Sequence, residues 1–87
     1  MNTKNHNHCN KCPCCGYFTL EESSNNSFQI CPVCYWENDE VQYNDSTYAG
    51  GANRISLEQA KDNFKKFGAI KECFIRYVRV PLDDEKF

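Results

Sequence analysis

Two short cysteine pairs, Cys12-Pro13-Cys14-Cys15-Gly16 and Cys31-Pro32-Val33-Cys34, are the residues of this chain best suited to chemistry. Their spacing is C-x2-C-x15-C-x2-C, within the range that brings four thiolates to one zinc ion. Each pair has proline after its first cysteine, and the first has glycine after its second. That is the form of a knuckle, a tight turn that aims two sulfurs at a single ion. The expected metal ligands are Cys12, Cys15, Cys31 and Cys34, holding one Zn²⁺. Four thiolates around zinc make a closed tetrahedral site, which supports structure and leaves no position open for a reacting water. Iron is the alternative ion, since the same four sulfurs build rubredoxin-type centres and soft donors suit both metals.

The first cluster also offers Cys9 with Cys12. We prefer Cys12 with Cys15 because that pair repeats the C-P-x-C form of Cys31 to Cys34. Cys9 and Cys14 are then spare thiols, and with His6 and His8 they could form a second site on paper. Cys12-Pro13-Cys14-Cys15 also resembles a C-P-x-C dithiol motif. Redox chemistry of that kind requires the first thiol at a helix N-terminus, and here Gly16 and a β-prone run follow instead. Hydrolytic catalysis has no visible constellation, because both histidines lie in the first eight residues. Glu37, Asp39, Glu40 and Asp45 lack the alternation of a calcium loop and read as a solvated acidic loop. Cys73 lies in an apolar-rich segment and reads as a small core residue.

The elements needed to position these cysteines are few. At 87 residues the chain is one small domain, of a size that commonly depends on a metal or disulfides. The cysteine count is seven, an odd number, and residues 1–8 show no apolar h-region or cleavage site. A reducing, cytoplasmic setting with metal-bound thiols is expected, without membrane association. Residues 1–10 read as a disordered tail, 11–81 as the domain and 82–87 as a flexible tail. Tyr17 to Leu20 and Phe28 to Ile30 read as two strands of a hairpin, with the polar turn 21–27 between them. From Tyr35 to Gly51 the expectation is a short helical turn followed by a loop. Ser56 should cap a helix with Gln59 completing a capping box, Leu57, Ala60, Phe64 and Phe67 forming its apolar stripe, and Gly68 ending it. Ile70 to Val80 fits either a second short helix or a strand. The fold class is small α+β: a zinc-ribbon-like hairpin with two cysteine knuckles, packed on one main helix and a short C-terminal element.

Charge is unevenly distributed. Residues 1–50 hold two lysines against six acids, a balance of −4, and residues 51–82 hold seven bases against three acids, a balance of +4. Lys61, Lys65 and Lys66 on the helix, and the Tyr35-Trp36 region, are the candidate contact surfaces for a protein partner. A nucleic-acid interface has weak support: Lys61, Lys65 and Lys66, with Arg76 and Arg79 beyond, offer a basic face, but helices normally have charged outer faces and the whole chain carries a formal charge of −2. The function these residues suggest is structural zinc binding in an interaction module. The alternatives are a dithiol or iron electron-transfer protein, and a nucleic-acid-binding zinc ribbon.

The assembled motifs resemble the cysteine-rich CPCC domain family of small bacterial proteins. The resemblance rests on Cys12-Pro13-Cys14-Cys15-Gly16-Tyr17, on Ile30-Cys31-Pro32-Val33-Cys34-Tyr35-Trp36-Glu37, and on Gly50-Gly51-Ala52-Asn53. It continues through Ser56-Leu57, Ala60, Asn63, Phe67-Gly68-Ala69 and Val78-Arg79. The chain departs from the pattern at Ala52, where proline is expected, and at Tyr35, where phenylalanine is more usual. What the resemblance implies is a single-domain, cytoplasmic bacterial protein whose cysteine pairs hold a metal; it implies no activity.

Overall fold

The computed structural model describes residues 10–20 and 29–86. It is a small α+β fold in which each cysteine pair forms a tight turn closed by its own pair of extended segments. Around the first turn, β1 (Asn10–Lys11) pairs antiparallel with β2 (Phe18–Leu20). Around the second, Ile30 bridges Glu37. Among the described residues β2 pairs with β1 and Ile30 reaches forward to Glu37, where the expected hairpin set Tyr17–Leu20 against Phe28–Ile30. Phe28, the turn 21–27 and residues 1–9 lie outside the described residues. Two strands this short have little stability alone, so their geometry depends on what the turns hold between them.

The register of β1 and β2 slips between Asn10, opposite Leu20, and Lys11, opposite Phe18. Thr19 is the extra residue of this bulge. Neighbouring strand residues ordinarily point to opposite faces, yet Thr19 and Leu20 are both buried. The bulge turns Thr19 inward as well.

The chain then forms α1 (Glu40–Asn44), little more than one turn. Asp39 caps it, with Oδ1 accepting from the backbone N–H groups of Val41 and Gln42 at 2.8 and 3.3 Å. Asp39 Oδ2 accepts from the Ala52 N–H at 2.8 Å. These donors, Ala52 first, hold the Asp39 carboxyl below the ordinary carboxylate range against the effect of burial. Asp39 is thus a buried latch between α1 and the following loop, which corrects its reading as part of a solvated acidic loop. The approach there is close: a Cβ on Gly51 would stand 2.8 Å from Asp39 Oδ2 and 3.0 Å from Gln42 Cγ. Gly51 is required by space.

Helix α2 (Leu57–Phe67) begins and ends where local signals place it. Ser56 Oγ accepts from the Gln59 N–H at 3.1 Å. The Gln59 side chain bonds Asn63 instead of returning to the cap, so the capping box is half made. Gly68 ends the helix with φ 83°, its N–H bonded to Phe64 O. Leu57 and Ala60 are buried, Phe64 is half-buried and Phe67 exposed. The apolar stripe therefore leaves the core in its last turn. The ambiguous segment after Gly68 is a 3₁₀ helix over Glu72–Tyr77, followed by extended chain. Cys73 on it is exposed, which corrects its reading as a core residue. Asp83–Glu85 forms a 3₁₀ turn, and Glu85 pairs both carboxylate oxygens with Arg79 at 2.8 Å.

The core is a single cluster. Cys12, Cys14, Cys31, Cys34, Leu20, Val33, Trp36, Leu57, Ala60 and Ile70 are its buried members. Cys12, Cys14, Cys31 and Cys34 are thus part of that core, and Cys15 packs against it.

Candidate metal centre

The two cysteine turns are built alike. In the first, Gly16 N–H bonds Cys12 O and Cys12 N–H bonds Tyr17 O, each at 2.8 Å. In the second, Tyr35 N–H bonds Cys31 O at 2.8 Å and Cys31 N–H bonds Trp36 O at 2.9 Å. Both turns need a left-handed residue just after the second cysteine. Gly16 adopts φ 82° there, and Tyr35 adopts φ 77°, the one positive-φ residue other than glycine among those described. The left-handed conformation costs a side-chain-bearing residue about 1–2 kcal/mol.

What offsets that cost is the ring. Tyr35 packs on Phe74, with centroids 4.5 Å apart, and on Tyr77 at 5.7 Å, contacts worth roughly 0.5–1.5 kcal/mol each beyond area burial. An unusual ranking follows. Tyr35→Gly and Tyr35→Ala both lose the ring, but only glycine relaxes the backbone, so the alanine variant should be the less stable by about 1 kcal/mol. Thermal melts of the two proteins check this; an alanine variant at least as stable as the glycine variant would remove the strain argument.

The turns face each other, and their sulfurs meet in crossed pairs. Cys12 Sγ lies 3.6 Å from Cys34 Sγ, and Cys15 Sγ lies 3.7 Å from Cys31 Sγ. All four sulfurs fall within 4.8 Å of one another. Four sulfurs set tetrahedrally at about 2.3 Å from a zinc ion would stand about 3.8 Å apart. The crossed distances fit an ion of that size, and the donor set is the one such an ion prefers. Three of the four cysteines are fully buried and Cys15 is half-buried, so the cage has one partly open side.

The sulfurs are themselves held. Val33 N–H donates to Cys31 Sγ and Trp36 N–H to Cys34 Sγ, each at 3.4 Å. The Thr19 hydroxyl lies 3.0 Å from Cys31 Sγ, carried there by the β2 bulge. The four thiols also hydrogen-bond one another. Bonds from Cys12, Cys15 and Cys34, with a smaller contribution from Thr19, hold the Cys31 thiol well below its ordinary range against the effect of burial. Cys12 is pushed up by its bonds with Cys15 and Cys31, and Cys34 by its bonds with Cys12 and Cys14. A divalent cation bound among these four thiols would displace their protons.

The structure brings Cys12, Cys15, Cys31 and Cys34 together and leaves Cys73 outside. Cys14 is buried in the same core beside the four without belonging to the tetrahedral set. Cys9, His6 and His8, the remaining members of the second site considered from sequence, lie outside the described residues. Trp36 is fully buried and cannot serve as a contact surface, which corrects that part of the Tyr35-Trp36 expectation. Sequence reasoning missed Thr19, whose β-branched side chain reads as an ordinary strand residue; only the bulge makes it a neighbour of Cys31.

The tether of the second turn to the helical part is also visible. Ile70 N–H donates to Cys34 O at 2.9 Å, Arg79 N–H donates to Pro32 O at 3.1 Å, and Asn63 Nδ2 donates to Ile70 O at 2.7 Å. These bonds fix α2 and the C-terminal segment to the backbone that carries Cys31 and Cys34. No helix among the described residues is long and apolar enough to cross a membrane.

A comparison with curated proteins finds no match. The family described as cysteine-rich CPCC matches residues 10–85, which span both cysteine turns, both α-helices and the C-terminal 3₁₀ segments. The chain belongs to the cysteine-rich CPCC family.

Proposed function

We infer that the chain is a structural zinc-binding domain of zinc-ribbon-like form, with Cys12, Cys15, Cys31 and Cys34 as the ligands and no catalysis of its own. The observation that carries this reading is the placement of four mutually close sulfurs, three of them buried in the core and the fourth packed against it. When bound, the ion supplies a closed, non-reactive tetrahedral link between two turns that are otherwise joined by little. Thiolate ligands have to stay reduced, which suits a cytoplasmic setting.

The work of such a domain falls to its surface. Lys61, Lys65 and Lys66 are exposed on α2 and take part in no ion pair among the described residues. They favour a protein partner with an acidic face, held by contacts that salt would weaken.

Elemental analysis of protein purified without added metal tests the central reading. The expected result is one zinc per chain, with Cys73 open to thiol reagents. One iron per chain, in coloured protein, would instead support the electron-transfer alternative. Two metals, or none in folded protein, would overturn the four-ligand assignment.

A further inference from the structure

A cleft lies on the outer side of the second cysteine turn, between it and the 3₁₀ helix. Its cavity volume is about 220 Å³, below the roughly 300–1,000 Å³ of drug-sized pockets. That is room for a ligand of about one amino-acid residue. Ile30, Ile55 and Ile70 provide an apolar lining, and the aromatic residues Tyr35 and Phe74 provide a wall. Arg54 and Lys71 stand in the same lining, and neither takes part in an ion pair among the described residues. Glu37 is the one acid in that lining, against the two bases Arg54 and Lys71.

The supports of this cleft are rigid and independent of the lysine face of α2. Glu37 is fixed by backbone bonds with the Asn53 side chain at 2.8 and 2.9 Å. Ile70 is tied to Cys34 by its N–H. Tyr35 keeps a ring at a position where the equivalent residue of the first turn is glycine, and where a ring costs backbone strain. The ring that this strain retains is part of the cleft wall.

We propose that this cleft binds a small carboxylate bearing an apolar group, of the size of one aliphatic amino-acid residue. Arg54 and Lys71 receive the carboxylate, and the isoleucines with Tyr35 and Phe74 receive the apolar group. The same chemistry is offered by a free small molecule and by the C-terminal residue of another protein.

The test is a titration of the metal-loaded full chain, followed by ¹H–¹⁵N NMR, with N-acetyl-leucine, with its carboxamide, and with a short peptide ending in leucine. N-acetyl-leucine should perturb Ile55, Ile70, Lys71 and Phe74 and saturate at a Kd on the order of 1 mM, as expected for so few atoms. The carboxamide should bind at least about tenfold more weakly, because it lacks the charge that Arg54 and Lys71 receive. Arg54→Gln and Lys71→Gln should each weaken N-acetyl-leucine binding severalfold, while Lys86→Gln, at an exposed position outside the cleft lining, should not. Tighter binding of the peptide than of N-acetyl-leucine assigns the site to a protein C-terminus, and equal or weaker binding assigns it to a free small molecule. Perturbations confined to other residues, or equal binding of acid and carboxamide, would overturn the proposal.

Discussion

Cys34→Ser should leave the chain unfolded under conditions where the parent protein is fully folded. Structural zinc supplies about 10–16 kcal/mol of apparent binding energy in small zinc domains, against a total stability of ~5–15 kcal/mol for a typical domain. Loss of the ion therefore removes as much free energy as the fold has to lose. Geometry makes the effect larger than an ordinary core substitution. Cys34 is fully buried, its sulfur lies 3.6 Å from that of Cys12, and its carbonyl oxygen accepts the Ile70 N–H. Losing this turn loosens the first turn and the C-terminal segment together.

Trp36, the single tryptophan, reports the event directly, because it is fully buried two residues from Cys34. Its emission should shift to that of solvated indole in the variant, and in the parent protein on adding a strong chelator. Two controls separate ligand loss from general damage. Cys73→Ser, at an exposed position, should change nothing measurable. Cys14→Ala should cost about 1–2 kcal/mol for the vacated core volume and still bind one metal. A metal-free Cys34→Ser protein with native NMR dispersion would refute the structural role of the ion, and metal loss in Cys14→Ala would change the ligand set.

The second large effect is expected at Gln42, outside the four-cysteine cluster. Gln42 is fully buried, and its side-chain amide bonds three backbone carbonyls, those of Tyr48, Asn53 and Ile55, at 2.9–3.1 Å. Its Oε1 accepts from the backbone and side-chain nitrogens of Asn53, each at 3.0 Å. One side chain thereby organises a loop that has almost no secondary structure. Gln42→Ala should destabilise the protein by about 3–5 kcal/mol, since each buried polar group left unsatisfied costs roughly 1–3 kcal/mol. Gln42→Glu keeps the size and removes the two amide donors, so it isolates the hydrogen-bonding part and should be similarly destabilising at neutral pH. Urea melts of the metal-loaded proteins measure both. A Gln42→Glu variant within 0.5 kcal/mol of the parent would show that the network is incidental.

These two sites differ in how far they could be read beforehand. The cysteine pairs announce themselves because metal ligation needs particular atoms at short, regular spacings, and the C-P-x-C turn is a local structure. Helix α2 was legible for the same reason: Ser56, the apolar stripe and Gly68 act within a few residues of one another. The small α+β class follows from these local features. The strand pairing did not, because Tyr17–Leu20 is equally suited to a partner before or after it, and only closure of each turn by its own flanks decides the matter.

Side-chain fates away from the turns were settled by contacts distant in sequence. Asp39 read as part of a solvated acidic loop, and nothing local singled out Gln42, since hydrophilic composition looks the same whether its donors and acceptors meet water or meet Gly51–Ile55 across a tight gap. Cys73 sits in an apolar-rich segment and Trp36 beside an acidic one, yet Cys73 is exposed and Trp36 fully buried. The sequence by itself marked two cysteine pairs able to share an ion, and where the main helix starts and stops, because those depend on short-range geometry. The tertiary structure alone decided that the cysteine turns share one core, that Thr19 reaches Cys31 through a bulge, and that a polar latch holds the central loop. Each of those depends on segments brought together from more than ten residues apart, and no local periodicity encodes such a meeting.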